Sequence, residues 1–123
     1  MARVSIFKGR EARVNKAIFW ILAMQSPLTI YDIWRRLRTQ RDFQYIRYHI
    51  VNRRVRTLKE QGFIEKIGER KTKNGFQATL YQLTLRAYLS ILLDKLDMDF
   101  FLKKASSDEI LSMLVILASQ QQS

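Results

Sequence analysis

Apolar residues recur along the first half of the chain at intervals of three and four, switch to a short alternation, and then return to the helical interval. Val14, Ile18, Ile21 and Leu22 make one stripe, with Trp20 at its edge, and predict a helix over 11–24. Ser26-Pro27-Leu28-Thr29 interrupts it, because proline disfavours helix in the residue before it, and Thr29 is placed to cap the next helix. That helix, predicted over 30–39, carries Ile30, Ile33, Trp34 and Leu37 on one face. Tyr31 and Trp34 could be taken for a ligand-binding aromatic pair, but helical spacing makes core or edge packing their expected role. After a turn at 39–43, Tyr48, Val51, Val55 and Leu58 define the inner face of a third helix, beginning after Asp42 and spanning about 44–61.

Gln61-Gly62 ends that helix, since glycine adopts the left-handed conformation at little steric cost. Phe63-Ile64-Glu65-Lys66-Ile67 alternates partly like a strand, and Arg70-Lys71-Thr72-Lys73-Asn74-Gly75 is a basic turn whose Asn-Gly pair favours a tight hairpin. The returning strand has Phe76, Ala78, Leu80 and Gln82 on one side and Gln77, Thr79, Tyr81 and Leu83 on the other. Neither side is purely polar, so this strand is predicted to be the more buried of the pair.

Thr84 is placed to cap a further helix to about Asp97, with Leu85, Tyr88, Leu89, Leu92, Leu93 and Leu96 as its apolar side. An apolar knot, Phe100-Phe101-Leu102, follows. Ser106 and Glu109 then stand at capping-box spacing before a last helix, Asp108 to about Gln120. Ile110, Leu111, Met113, Leu114, Val115, Ile116 and Leu117 wrap nearly its whole circumference, which a surface helix of a small monomer cannot keep dry. A homodimer interface built from Leu89, Leu92, Leu93, Leu96, Ile110, Leu111, Leu114 and Leu117 is expected. The alternative is a helix wedged between the first helix and the one at Thr84 within a single chain. The expected division is a flexible basic arm over 1–9, with Val4, Ile6 and Phe7 available to a partner, a module over 10–83, and C-terminal helices over 84–123, the last residues frayed. Internal repeats and low-complexity linkers are absent from the sequence.

Composition sharpens this picture. The 123 residues suit one domain with a modest core. Lysine and arginine number 22 against 11 acidic residues, a net charge of +11. Residues 1–75 hold 18 basic and 6 acidic side chains, whereas 76–123 hold 4 and 5, so the whole positive excess lies in the first part. That asymmetry implies a polyanionic partner and a different task for the C-terminal part. Cysteine is absent and His49 is the sole histidine, which leaves no thiolate zinc site, no cysteine nucleophile and no histidine-built metal centre. No nucleophile–base pair or phosphate-binding glycine loop stands out, so neither enzyme chemistry nor a cofactor is expected. Arg3, Lys8 and Arg10 precede no signal-type apolar stretch, and Ala17–Met24 and Met113–Ala118 are too short to span a bilayer, so a soluble cytoplasmic protein is expected.

On a projection of about 100° per residue, the side of the third helix opposite Val51, Val55 and Leu58 presents Tyr45, His49, Asn52, Arg53 and Arg56. Arginine pairs bidentately with guanine O6 and N7, and asparagine with adenine, so these five are the candidates to face base edges in a major groove. Arg35, Arg36, Arg47 and Arg54 are the candidate phosphate contacts, with Arg70, Lys71 and Lys73 on the hairpin tip reaching phosphates or a minor groove. A solvated basic face and an ordinary hairpin tip are the alternatives for each feature taken alone. The order helix, strand, basic tip, strand favours duplex DNA.

With Ser26-Pro27-Leu28-Thr29-Ile30-Tyr31-Asp32-Ile33, the run Val51-Asn52-Arg53-Arg54-Val55-Arg56-Thr57-Leu58-Lys59-Glu60-Gln61-Gly62-Phe63-Ile64-Glu65, and Leu80-Tyr81-Gln82-Leu83-Thr84, the chain resembles prokaryotic winged helix-turn-helix transcription regulators. The PadR-like branch with its archaeal members looks closest, and ArsR-like and MarR-like regulators share the outline. The likeness runs over about residues 10–97. It implies a mainly α fold with a small β-hairpin and additional C-terminal helices, a recognition helix near 44–61, a wing at 70–75, and dimerisation through terminal helices. It departs from the family in the basic stretch Arg38 to Tyr48 and in a short C-terminal part with little room for an effector domain. The function expected is sequence-specific, double-stranded DNA-binding transcription regulation. A nucleoid or architectural DNA-binding protein, or a winged-helix module for a protein or RNA partner, remains as an alternative.

Overall fold

Three short helices wrap one apolar centre, and a hairpin closes it from the side. The computed structural model describes residues 5–95 and 103–121. These form α1 (Ala12–Met24), α2 (Ile30–Arg38), α3 (Tyr48–Glu60), the strands β1 (Ile64–Lys71) and β2 (Gln77–Leu83), α4 (Leu85–Lys95) and α5 (Ser107–Gln121). The architecture is mainly α with a two-stranded antiparallel wing, as the pattern predicted.

The stripes meet as their periods require. Ile18, Phe19 and Leu22 of α1, Ile33 and Leu37 of α2, and Val51, Val55 and Leu58 of α3 are fully buried in one cluster with Ile64, Tyr81 and Leu83 of the hairpin and Ala87 of α4. Each large side chain removed from water this way contributes about 1.5–3 kcal/mol. Thr29 caps α2 through a reciprocal box: its Oγ1 accepts from the Asp32 amide at 3.1 Å, while Asp32 Oδ2 accepts from the Thr29 amide at 3.3 Å. Leu28 and Tyr81 exchange two backbone bonds, 3.0 and 2.8 Å, which fasten the α1–α2 link to β2 and fix the wing's root.

Several expectations shift. Residues 5–9 are no free arm: Ser5–Phe7 form a 3-10 turn, Ile6 and Phe7 are buried, and the Phe7 ring meets Phe19 edge-on at 5.4 Å. The Asn15 amide, itself buried, donates to the Ile6 carbonyl at 2.7 Å and holds this turn against α1. Helix α3 starts at Tyr48 rather than near residue 44, because Gln40–Ile46 is wound into tight turns and the Trp34 indole donates to the Ile46 carbonyl at 2.9 Å. Strand β1 runs on to Lys71, with a one-residue bulge at Ile67 between the Lys66–Tyr81 and Gly68–Leu80 pairs. Arg70 and Lys71 therefore lie on the strand, and the turn is Lys73-Asn74-Gly75, closed by Thr72 donating to Phe76 at 2.7 Å and Gly75 donating to Thr72 at 3.0 Å. Gly75 alone there takes a positive φ, +83°, so the loop is a three-residue one rather than a two-residue Asn-Gly turn. As predicted, β2 is the more buried strand.

Thr84 caps α4, and Ser106 with Glu109 forms the expected capping box at the head of α5. Helix α4 turns Ala87, Leu89 and Ser90 inward, while Leu85, Tyr88 and Leu92 are exposed and Leu93 is half-buried. On α5, Leu111, Leu114 and Val115 are exposed and Ile110 half-buried, which does not match a helix wedged inside one chain. Val4, Leu96, the helix end at Asp97 and the Phe100-Phe101-Leu102 knot lie outside the described residues, as does the side chain of Leu117.

Gly62 ends α3 at φ +84°, and a Cβ there would meet only the side chain of Arg86, nearest at its terminal nitrogen, 3.1 Å. The cost of substitution is therefore conformational. Gly62→Ala is expected to lower stability by about 1–2 kcal/mol, read as a lower urea midpoint with an unchanged slope.

Candidate nucleic-acid interface

Burial of Val51, Val55 and Leu58 fixes the rotation of α3 and so decides which side chains are free. His49, Arg53 and Arg56 are exposed on the outer face, and Asn52 is half-buried on the flank nearest β2. Arg56 Nε donates to Asn52 Oδ1 at 2.8 Å, an i,i+4 pair that orders both groups while leaving the Asn52 amide N–H groups and the Arg56 terminal nitrogens to project. Tyr45, 86% exposed, and Arg47, the N-terminal flank residue of α3, stand in the entering segment rather than on the helix.

The entering segment is positioned by aromatic contacts. Trp34 holds Ile46 through its indole N–H, meets Tyr48 edge-on at 5.7 Å and Tyr31 at 5.5 Å, and carries the Arg38 guanidinium over its face at 5.0 Å. Trp34 thus has the packing role expected. Tyr31 packs at the edge, its ring on Trp34, and is 52% exposed with the Arg35 guanidinium over its ring at 5.9 Å. Its place one residue after the inward Ile30 could have signalled that outward direction.

Two grooves share this surface. The first, about 280 Å³, lies between α3 and β2 and is lined by Tyr31, Tyr48, Asn52, Arg56, Gln77 and Thr79 among others. The second, about 730 Å³, lies between α2 and the wing and is lined by Tyr31, Asp32, Arg35, Arg70, Lys71, Lys73 and Phe76 among others. Tyr31, Thr29 and Ala78 border both, so the two adjoin as a trough in two parts, one beside α3 and one beside the wing. Arg36 faces a recess of about 290 Å³ beside Asp32, Arg35 and Thr39, and its buried Nε has no hydrogen-bond partner. Gln77, Thr79 and Phe76 escaped the sequence reading because a polar or apolar strand residue gives no sign of which groove it will border.

Arg54 departs from expectation. Its guanidinium turns onto α1, donating to Asn15 Oδ1 at 3.2 and 3.1 Å and approaching Glu11 at 3.7 Å, and its side chain is only 14% exposed. It is a brace between α3 and α1, not a surface cation. Arg70 is also paired, with Asp32 Oδ2 at 3.1 Å, but remains half-exposed in the second groove. Lys71 and Lys73 are exposed on the wing. Among the described residues no group of His, Asp and Glu side chains is placed to hold a metal ion, and no helix is long and apolar enough to cross a membrane.

Arg54 and Lys71 should separate cleanly. Arg54→Ala strands the buried Asn15 oxygen and is expected to cost about 1–3 kcal/mol of stability with little change in the salt dependence of polyanion binding. Lys71→Ala should leave the urea midpoint within about 0.5 kcal/mol and change the salt dependence instead.

The same arrangement of helices and wing occurs in a PadR-like transcriptional regulator from Bacillus cereus, which aligns with 88% of this chain and 97% of its own length at a TM-score of 0.58 and 11% identity. A putative transcriptional regulator from Thermoplasma acidophilum aligns at a TM-score of 0.47 and 19% identity, over 84% of this chain and 97% of that one. No family model and no curated protein matches the chain. At these identities the likeness to the Bacillus cereus structure shows the fold: a winged helix of the PadR-like type with helices added at its C-terminus.

Proposed function

We propose that the chain is a sequence-specific transcription regulator that binds double-stranded DNA as a homodimer. The observation that carries this reading is the trough: on a PadR-like fold, the free face of α3 adjoins a basic groove ending at the wing, and residues 1–75, which contain these elements, hold the excess positive charge of the chain. With α3 in a major groove, His49, Asn52, Arg53 and Arg56 face base edges, and Tyr45 and Arg47 approach at the helix entry. Arg35, Arg36 and Arg47 with Lys71 and Lys73 take phosphates, which fix register without reading sequence. The winged fold, the charge asymmetry and the absence of a catalytic constellation in the sequence all favour binding over catalysis, and a cytoplasmic, nucleoid-associated location follows from that reading.

The dimer rests on the apolar surface of the C-terminal helices. Tyr88 and Leu92 on α4, with Leu111, Leu114 and Val115 on α5, would hold a large apolar area in water in an isolated chain. A second copy would cover it and present two α3 helices to a two-part site.

Selection from a random duplex pool over a salt series, followed by sequencing, tests the whole reading. Enrichment of an inverted repeat is the expected result; salt-sensitive binding with no motif would mean an architectural DNA-binding protein, and absence of binding would point to a protein or RNA partner. On the selected site, Arg53→Ala should cost about 1–3 kcal/mol and relax preference at one base pair per half-site. Leu111→Glu with Leu114→Glu should halve the mass measured by sedimentation while leaving the helical signal of the winged module in place.

A further inference from the structure

The groove between α2 and the wing holds a single acidic side chain among its lining residues, and that side chain faces arginines. Asp32 Oδ2 bonds Arg70 at 3.1 Å across a sequence separation of 38, and Asp32 also borders a recess lined by Arg35 and Arg36. Capping α2 accounts for only part of this geometry: Oδ2, the oxygen that accepts from the Thr29 amide, is also the one that meets Arg70, and the cap alone needs an acceptor but no charge. A carboxylate paired with a guanidinium in a groove open to solvent has the charge and hydrogen-bonding character of a phosphodiester oxygen pair.

We propose that Asp32 is an internal stand-in for a DNA phosphate, holding Arg70 in the wing groove until a backbone phosphate is seated there. The inference rests on the DNA-binding reading and adds a specificity device to it. With Arg70 52% and Asp32 21% exposed, the ion pair is a partly solvated one that a phosphate can replace. A phosphate entering the groove repels the Asp32 carboxylate while attracting the same guanidinium, so the exchange is close to balanced. It tips only when α3 is docked deeply enough to press the backbone into the groove. On a loosely held, non-cognate duplex Arg70 stays with Asp32; on the cognate site it moves to the phosphate and adds one contact that other sequences do not gain.

The test is a set of salt titrations with the full chain and the variants Asp32→Asn, Arg70→Gln and the double variant, each on random-sequence duplex and on the selected site. Asn keeps an oxygen for the Thr29 amide but loses the charge that attracts Arg70, so the cap survives while the ion pair does not, and the urea midpoint of each variant checks this. On random duplex, Arg70→Gln should leave the salt slope of the unsubstituted chain unchanged, and Asp32→Asn should steepen it by about 0.9, the value for one added phosphate contact. The added slope should vanish in the double variant. On the selected site, Arg70→Gln alone should reduce the slope by about the same amount. An Asp32→Asn effect that persists without Arg70 would show a general charge effect and overturn the proposal. So would a loss of slope on random duplex from Arg70→Gln alone. If the unsubstituted chain binds no duplex, the DNA-binding reading fails as well; if it binds but the two residues act independently, only the role of Asp32 fails.

Discussion

The rotational setting of α3 is the constraint from which the rest of the surface follows. Val51, Val55 and Leu58 have no measurable exposure, so turning the helix by a single residue would bring polar side chains to the core and place apolar ones in water. Once that face is committed, the remaining positions have no freedom of direction. Arg54 falls on the flank against α1 and becomes a brace, Tyr48, Asn52 and Arg56 fall on the flank against β2 and line a groove, and His49 and Arg53 are left outermost. A basic helix thus divides into a structural cation and a free set by phase alone.

Phase does not fix where the helix begins, and here the tertiary contact from Trp34 decides. Its indole N–H holds the Ile46 carbonyl, and its ring sits between Tyr31 and Tyr48, so the first turn of α3 is located relative to α2 by an aromatic row rather than by a capping side chain. Arg47 at the N-terminal flank makes no side-chain cap. The first-turn amides of α3 are thus not met by the flank residue's own side chain, and they carry the positive end of the helix dipole. In the DNA-bound arrangement proposed above, that end would add to the pull of Arg47 on a phosphate.

Much of this fold is legible in the sequence, and what is not legible depends on distant partners. Helices α1 and α2 follow directly from their three-and-four stripes, the Thr29 cap from its residue type, and the end of α3 from Gly62, since each is a local effect. The start of α3 is not local, because residues 44–47 have a helical composition and are held out of the helix by Trp34. Arg54 reads as one more surface arginine until Asn15, 39 residues earlier, is seen to meet it. The same is true of Arg70 and Asp32. Ile6 and Phe7 read as a loose arm because nothing nearby in sequence shows that Asn15 will anchor the Ile6 carbonyl. For the candidate site, the outer α3 residues could be named from periodicity, but the trough could not, since it exists only where α2, α3 and the wing converge.

The C-terminal helices follow a different rule from the winged module. In α4 Ala87, Leu89 and Ser90 turn inward, while Leu85, Tyr88 and Leu92 point away from the core. A helix stabilised mainly by its own chain would place its bulkier apolar groups inward, where each removes more area from water. Helix α5 carries this exposure further, with Leu111, Leu114 and Val115 all exposed. In the dimer proposed above, the exposed side chains of these segments would gain their hydrophobic free energy from association rather than from within the chain. Stability would then depend on concentration through that contact. In that proposal the basic winged module and the exposed apolar side chains of α4 and α5 lie on different elements, so that DNA binding and self-association would be physically separate and strengthening one need not disturb the other.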